Sequence, residues 1–317
     1  MLMRLLLSAA LLLVVGLAQA EVYDMPDEGD DLIGKIEHIE AKEEDTFVAL
    51  ARRHNVGYVE LQLANPEVDA WLPGEGTDIL LPKQYILPQE SREGIVINIA
   101  EMRLYYFPPE NDANAGKVFT FPMGIGREGW DTPLGTTTIT RKKQNPNWYP
   151  PQSIRKEHAE AGDPLPTVVK AGPDNPLGQH ALYLGFPAYL MHGTNKPAGI
   201  GMRVSHGCLR LFPEDIEALF SMVKVGTKVT IIDEPYKFGW QDGKFYMEAH
   251  PPDANGETRV ETYTPFVTAL VQATKAHEKM PIDWEKAQAM ARSGDGIPRI
   301  IEAPGASAER TPTQAMR

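Results

Sequence analysis

The sequence predicts a mainly β protein: a β-rich sandwich or barrel over residues 94–233, preceded by a small βααβ unit and followed by an α+β appendage. Three observations carry this. Ile95, Ile97 and Ile99 alternate with other residues, 104–107 is aromatic and aliphatic, and 117–123 and 136–140 are rich in β-branched residues, with Gly, Pro, Asn or Asp between the runs. Further strands fit 181–184, 188–191 and 229–232, and helical spacing in this region is confined to 213–223, where Pro213 suits a first helical position and Glu214 and Asp215 suit the first turn. Finally, 238–249 reads as a hairpin with Asp242-Gly243 at its turn.

The chain opens on a targeting segment. Arg4 supplies a short positive start, 5–17 is nearly all apolar, and Ala18-Gln19-Ala20 suits cleavage, so 1–20 is expected to be a secretory signal and not an anchor. Residues 21–35 read as a flexible acidic leader. Over 36–82 the pattern is strand, helix, helix, strand: Asp45 and Thr46 offer an N-cap, Phe47, Leu50, Ala51 and His54 follow at helical spacing, and a second helix fits 58–64 before Asn65-Pro66. Residues 83–93 read as a connector with few apolar residues, so the first domain is expected to act as a tether separable from the β-rich region. The span 145–178 reads as irregular and long enough for a binding loop. In the appendage, 234–302, helices are expected near 265–277 and 283–292, and 303–317 is expected to be disordered.

Composition narrows the function. The chain has 317 residues, 42 % hydrophobic and 23 % charged, with a net charge of −12 that argues against a nucleic-acid partner. No stretch beyond residue 20 could span a bilayer, so no membrane anchor is expected. A single cysteine, Cys208, excludes an internal disulfide and leaves a free thiol in an exported chain.

That thiol lies in HGTNKPAGIGMRVSHGCLR, residues 192–210. A thiolate is a strong nucleophile once a neighbouring base takes its proton, and both His192 and His206 are candidates. Gly207 lets the backbone approach a substrate, and successive N–H groups there could receive the oxygen of a carbonyl under attack. Zinc binding by His192, His206 and Cys208 is the rival reading, but the short paired spacings typical of zinc are missing.

H-G-T followed at this distance by S-H-G-C-L-R resembles the signature of the L,D-transpeptidases with the YkuD catalytic domain, cysteine enzymes that remodel bacterial peptidoglycan. The resemblance implies Cys208 as nucleophile, His192 as base with its ring oriented by the Gly193 carbonyl, and the N–H groups of His206, Gly207 and Cys208 as the oxyanion hole. It gives Ser205 and Arg210 supporting positions, Arg210 holding the loop or a substrate carboxylate. Residues 124–135 resemble the family's Gly…Thr-Pro-x-Gly segment, and 147–151 its Trp-containing loop, which makes Trp148 and Tyr149 substrate-binding candidates. Residues 36–82 resemble a LysM glycan-binding module through Asp45-Thr46, Val56, Leu61, Asn65-Pro66, Leu72-Pro73-Gly74 and 79–82, with Glu44 where a Gly is usual.

The expected partners are therefore peptidoglycan tetrapeptide stems and glycan strands, in the periplasm. The expected reaction is release of D-Ala and transfer of a diaminopimelate carbonyl to an amine, either the Lys of a Braun-type lipoprotein or a second diaminopimelate. It implies no metal and no organic cofactor. Hydrolysis at the same site, a zinc wall peptidase and a non-catalytic glycan-binding protein are the alternatives.

Overall fold

The computed structural model describes residues 20–127, 129–250, 263–275 and 280–303. The predicted signal, apart from Ala20, and the predicted tail, apart from Ala303, lie outside these residues. The described chain opens with β1 (Glu21–Asp24), β2 (Leu32–Gly34), β3 (Glu37–Glu40), α1 (Phe47–Arg53), α2 (Tyr58–Ala64), β4 (Asp78–Leu81) and β5 (Gln84–Ile86). It continues with β6 (Gly94–Asn98), β7 (Arg103–Phe107), β8 (Lys117–Pro122), β9 (Ile125–Gly126), β10 (Gly135–Gln144), α3 (Gln152–Glu160), β11 (His180–Leu184), β12 (Leu190–His192), β13 (Arg203–Ser205), β14 (Leu209–Arg210), α4 (Pro213–Met222) and β15 (Lys228–Ile232). The last elements are β16 (Tyr236–Gln241), β17 (Lys244–Ala249), α5 (Thr264–Thr274), α6 (Trp284–Ser293) and β18 (Arg299–Ile300).

The fold is mainly β, as the sequence predicts. Nine strands form one curled sheet in the order β1-β8-β7-β6-β15-β10-β11-β12-β14. β10 bridges the two halves of the sheet, since Gly135 to Thr138 pair with β15 and, from Ile139 on and across a bulge at Thr140, its remainder pairs with β11. The central strands are apolar on both faces, and their alternation feeds two cores. Ile95, Ile97, Leu104 and Tyr106 face a cluster with Ile216, Leu219 and Val223 on and after α4, whereas Val96, Tyr105, Phe107 and Val118 face Ile33, Tyr85 and Leu87.

Four expectations need correction. Residues 21–35 are not a free leader: β1 pairs with β8 along the sheet edge and β2 with β5, and Tyr23 packs edge-on against Tyr85. Its acidic look hid three-to-four-residue strands whose pairing partners lie elsewhere in the chain. Residues 83–93 are not a bare connector, because Tyr85, Ile86 and Leu87 are buried. The strand expected over 188–191 begins two residues late, as Ala188 has a left-handed φ of 70° in the turn before β12. The span 145–178 contains the nine-residue helix α3.

β3, α1, α2 and β4 form a βααβ unit with its own core around Phe47, Leu50, Leu61 and Ile79. Thr46 caps α1 by accepting from the Ala49 N–H at 3.2 Å. The unit docks on the first turn of α4. Arg52 donates to both carboxylate oxygens of Glu214 at 2.8 and 2.9 Å, and Asn55 Nδ2 donates to the buried Asp215 Oδ1 at 2.7 Å.

At the other end, β16, β17 and β18 form a three-stranded sheet covered by α5 and α6. The Asp242-Gly243 turn has φ of 50° and 72°, the left-handed pair that tight hairpins favour. A buried ion cluster joins this sheet to the large one. Lys237 Nζ donates to Glu101 Oε2 and Glu248 Oε1 at 2.7 Å each and to the Ile86 carbonyl at 2.8 Å, while Tyr105 donates to Glu101 at 2.8 Å. Burial opposes the ammonium, but the two carboxylates outweigh it and raise the Lys237 pKa.

Asp215 gives the docking of the βααβ unit a pH dependence. Burial pushes its carboxyl from 3.8 up to about 8, against the opposing hydrogen bond from Asn55. The folded protein therefore holds a proton there that the unfolded chain loses near 3.8, so this contribution to stability falls as pH rises from 3.8 to about 8. Asp215→Asn mimics the protonated acid. It is expected to flatten the decline in stability over that window and to raise stability at pH 8, measured by urea unfolding at a series of pH values; an unchanged slope would contradict the assignment.

Candidate active site

The stretch singled out in the sequence folds into two neighbouring parallel strands. Met191 of β12 lies opposite Leu209 of β14, and His192 opposite Arg210. Met191, Leu209 and Leu211 are buried in the core. Alternation then puts His192, Arg210 and Cys208, the residue before β14, together on the other face.

His192 is 3 % exposed, and its Nδ1–H donates to the Gly193 carbonyl at 2.5 Å. This bond assigns the tautomer and leaves Nε2 as an acceptor. Gly193 itself has little room for a side chain, since a Cβ there would stand 3.1 Å from Ile216 Cγ2.

Cys208 ends a tight turn from β13. The Ser205 hydroxyl donates to the Cys208 carbonyl at 2.6 Å, and the Thr132 hydroxyl to the Gly207 carbonyl at 3.2 Å. Gly207 has a left-handed φ of 92°, and a Cβ on it would meet Tyr189 Cε1 at 3.1 Å. The segment resembling the family's Gly…Thr-Pro-x-Gly run lines this turn: Gly124 exchanges two 2.8 Å backbone hydrogen bonds with Arg210, and a Cβ on Gly126 would collide with the Trp130 carbonyl at 1.9 Å. The Ser205, Gly207 and Cys208 carbonyls are thus all engaged, the first by the Arg127 N–H at 3.0 Å.

His206 looks toward α3. Its Nε2 lies 3.2 Å from Glu157 Oε2 and 3.2 Å from Arg127 Nη2, Arg127 also pairs with Glu157, and the Trp130 ring meets the imidazole edge-on at 4.8 Å. Sequence reasoning missed Arg127, Glu157 and Trp130 as partners of this turn. A signal existed for α3: two prolines precede SIRKEHAE, which is rich in good helix formers.

The family described as "L,D-transpeptidase catalytic domain" matches residues 92–231. "Probable L,D-transpeptidase YbiS" of Escherichia coli K12 is 46 % identical over 262 residues, which is 80 % of this chain and 84 % of that protein. "Probable L,D-transpeptidase ErfK/SrfK" of the same strain is 38 % identical over 306 residues, 93 % of this chain and 95 % of the relative. The chain belongs to the L,D-transpeptidase family. Among solved structures, L,D-transpeptidase 3 of Mycobacterium tuberculosis aligns with 49 % of this chain and 67 % of its own, at 17 % identity and a TM-score of 0.32.

Other candidates in this L,D-transpeptidase fall differently. Trp148 is half-buried and exchanges backbone hydrogen bonds with Val169, and Tyr149 is 66 % exposed. Among the described residues neither has a polar or ring contact with His192, Cys208 or Arg210. Glu101, Glu248 and His250 come close enough to share a cation, and Lys237 already supplies one to both carboxylates. The Arg210 guanidinium is half-buried, has no carboxylate partner among the described residues, and its Nε lacks an acceptor.

Burial, then the Arg210 charge, hold the His192 imidazole down at about 3 against the Gly193 hydrogen bond. The ring is therefore neutral near pH 7, with Nε2 unprotonated. Burial pushes the Cys208 thiol up, eased by the Leu190 backbone and Arg210. The resting pair is thus thiol and neutral imidazole, not an ion pair. Alkylation of Cys208 by iodoacetamide should climb steadily from pH 6 through pH 9, with its midpoint above the usual thiol range near ~8.5. A plateau reached below pH 7 would show a preformed thiolate and contradict this assignment.

Proposed function

We propose that this transpeptidase acts on peptidoglycan tetrapeptide stems in the periplasm, through a thioester on Cys208. The observation that carries the reading is the neutral, oriented His192, which pairs across β12 and β14 with Arg210, two residues after Cys208. His192 Nε2 takes the thiol proton as sulfur attacks the carbonyl joining meso-diaminopimelate to D-Ala. The developing oxyanion is received by the N–H groups of His206, Gly207 and Cys208, whose carbonyl neighbours are already bonded to Thr132 and Ser205. The C–N bond breaks, D-Ala leaves with the proton from His192, and a thioester remains. An acceptor amine attacks next; its proton passes to His192 and on to the departing sulfur, so the enzyme is restored.

Arg210 suits recognition of a stem carboxylate, because among the described residues it has no carboxylate partner and its Nε lacks an acceptor. The acceptor is either the Lys of a Braun-type lipoprotein, which anchors the outer membrane, or a second diaminopimelate, which gives a 3→3 cross-link. The order of a LysM-like unit, a catalytic domain and a C-terminal appendage favours the first. Export fits the N-terminal apolar segment, and among the described residues no helix is long and apolar enough to cross a membrane. The LysM-like unit is assigned glycan binding: Trp71 and Leu72 are 64 % and 75 % exposed, and the Ala70 carbonyl beside them holds the start of α1 at Phe47 N.

Mass analysis of products from defined tetrapeptide muropeptides, with and without lipoprotein, tests this reading and names the acceptor. Cys208→Ala is expected to fold and to release no D-Ala. His192→Ala should lower kcat by about 10³-fold, within the range of a general base. His206→Gln should cost about tenfold or less, because its contribution to the reaction is a backbone N–H. Turnover in the Cys208 variant, or equal losses in the two histidine variants, would overturn the assignment.

A further inference from the structure

The strand carrying His192 and the turn carrying Cys208 are joined by residues 193–202, and the middle of that connection is held from outside the catalytic sheet. A 3-10 turn, Pro197–Gly199, leads to Ile200 and Gly201. Their carbonyls accept from the N–H groups of Tyr58 at 3.3 Å and Val59 at 3.2 Å, the first two residues of α2. Amides at a helix start have no acceptor within the helix, so these two are available to another segment.

Two further contacts fix α2 in that place. Glu60 Oε2 accepts from the Gly57 N–H at 2.8 Å and from Nη2 of Arg103 at 2.6 Å. Arg103 is a fully buried residue of β7 whose guanidinium lies 4.2 Å from the centre of the Tyr85 ring. A single carboxylate oxygen thus ties the start of α2 to the catalytic sheet. On the other side Gly201 has a left-handed φ of 76°, and a Cβ on it would stand 2.3 Å from Tyr58 N and 2.4 Å from Gly57 Cα. Only glycine fits between the two bodies. Gly201 N donates to the Met123 carbonyl at 3.3 Å and Met202 O accepts from Ile125 N at 3.1 Å, after which β13 leads to Ser205 and Cys208.

We infer that α2 of the N-terminal domain is a positioning element for the catalytic turn: by holding the Ile200 and Gly201 carbonyls it fixes the connection between His192 and Cys208 and so sets the rate at which Cys208 reacts. The inference rests on the proposed role of Cys208 and goes beyond it. It replaces a tether with a working part of the site, and it makes Tyr58, Val59 and Glu60 positioning residues. Sub-ångström errors matter at a nucleophile, since a misplacement of about 1 Å can cost on the order of 10²-fold in rate.

Tyr58→Pro tests it in the full chain. Proline is well tolerated at a first helical position, and Gly57, with φ of −73° and ψ of 148°, has the extended conformation that a following proline requires. The change deletes the N–H given to Ile200 and puts a ring carbon in its place; Tyr58→Ala controls for the lost side chain. Relative to Tyr58→Ala, the proline variant is expected to lose about tenfold in kcat on a tetrapeptide stem with KM within about twofold, and about tenfold in the rate of Cys208 alkylation by iodoacetamide at fixed pH. Equal rates in the two folded variants would overturn the inference. If the proline variant does not fold, Glu60→Ala against Glu60→Gln decides: the amide retains an acceptor for Gly57 and should recover part of the alkylation rate lost in the alanine variant, and no loss in Glu60→Ala would overturn the inference. The alkylation measurement needs no stem. A wild-type chain that releases no D-Ala would therefore count against the proposed reaction, while the difference between variants would still decide the positioning.

Discussion

The parallel pairing of β12 with β14 is the constraint on which the site depends. Met191 and Leu209 face each other and are both buried, so the residues flanking them are driven to the opposite face, His192 from one strand and Cys208 and Arg210 from the other. A slip of one residue would bury the thiol and expose the core. Parallel neighbours also cannot be joined by a tight turn; they need a crossover of about a dozen residues or more. The sixteen residues 193–208 between β12 and β14 are that crossover, which gives the fixed separation of H-G-T from S-H-G-C a mechanical reason.

A crossover of that length needs support, and the support comes from the rest of the large-sheet domain and from the βααβ unit. The 124–132 segment backs the turn through Gly124, Gly126 and Thr132, α3 reaches His206 through Glu157, and α2 holds Ile200 and Gly201. Buried charge recurs at the junctions: Arg103 with Glu60 on one side, Lys237 with Glu101 and Glu248 on the other. Desolvating such groups costs several kcal/mol per ion, so their net stabilisation is small, whereas breaking one costs about 3–5 kcal/mol.

Much of this was legible in the sequence where chemistry or periodicity is local. The alternation of Ile95 and Ile97, the Pro213 helix start and the Asp242-Gly243 hairpin each carry their signal within a few residues, and Cys208 stood out as the single cysteine, whereas the choice of His192 over His206 came from the family resemblance. What escaped depends on partners distant in sequence. β1 is recognisable as a strand only once β8 lies beside it, and 83–93 looked like a connector because the apolar Tyr85, Ile86 and Leu87 are flanked by polar and proline residues. Glu157 and Arg127 are ordinary charged residues in sequence, and only the packing of α3 brings them to His206. The docking of α2 could not be foreseen for the same reason, since the first domain has a complete core of its own.

The proposed chemistry turns on Cys208 carrying the acyl group, and intact-mass analysis of the protein quenched during turnover of a tetrapeptide stem is the direct test. The expected species is an adduct equal to the stem less D-Ala, mapped by peptide digestion to Cys208, released by hydroxylamine and absent from Cys208→Ala. Product formation with no adduct when deacylation is slowed by omitting the acceptor, or an adduct on any other residue, would contradict it.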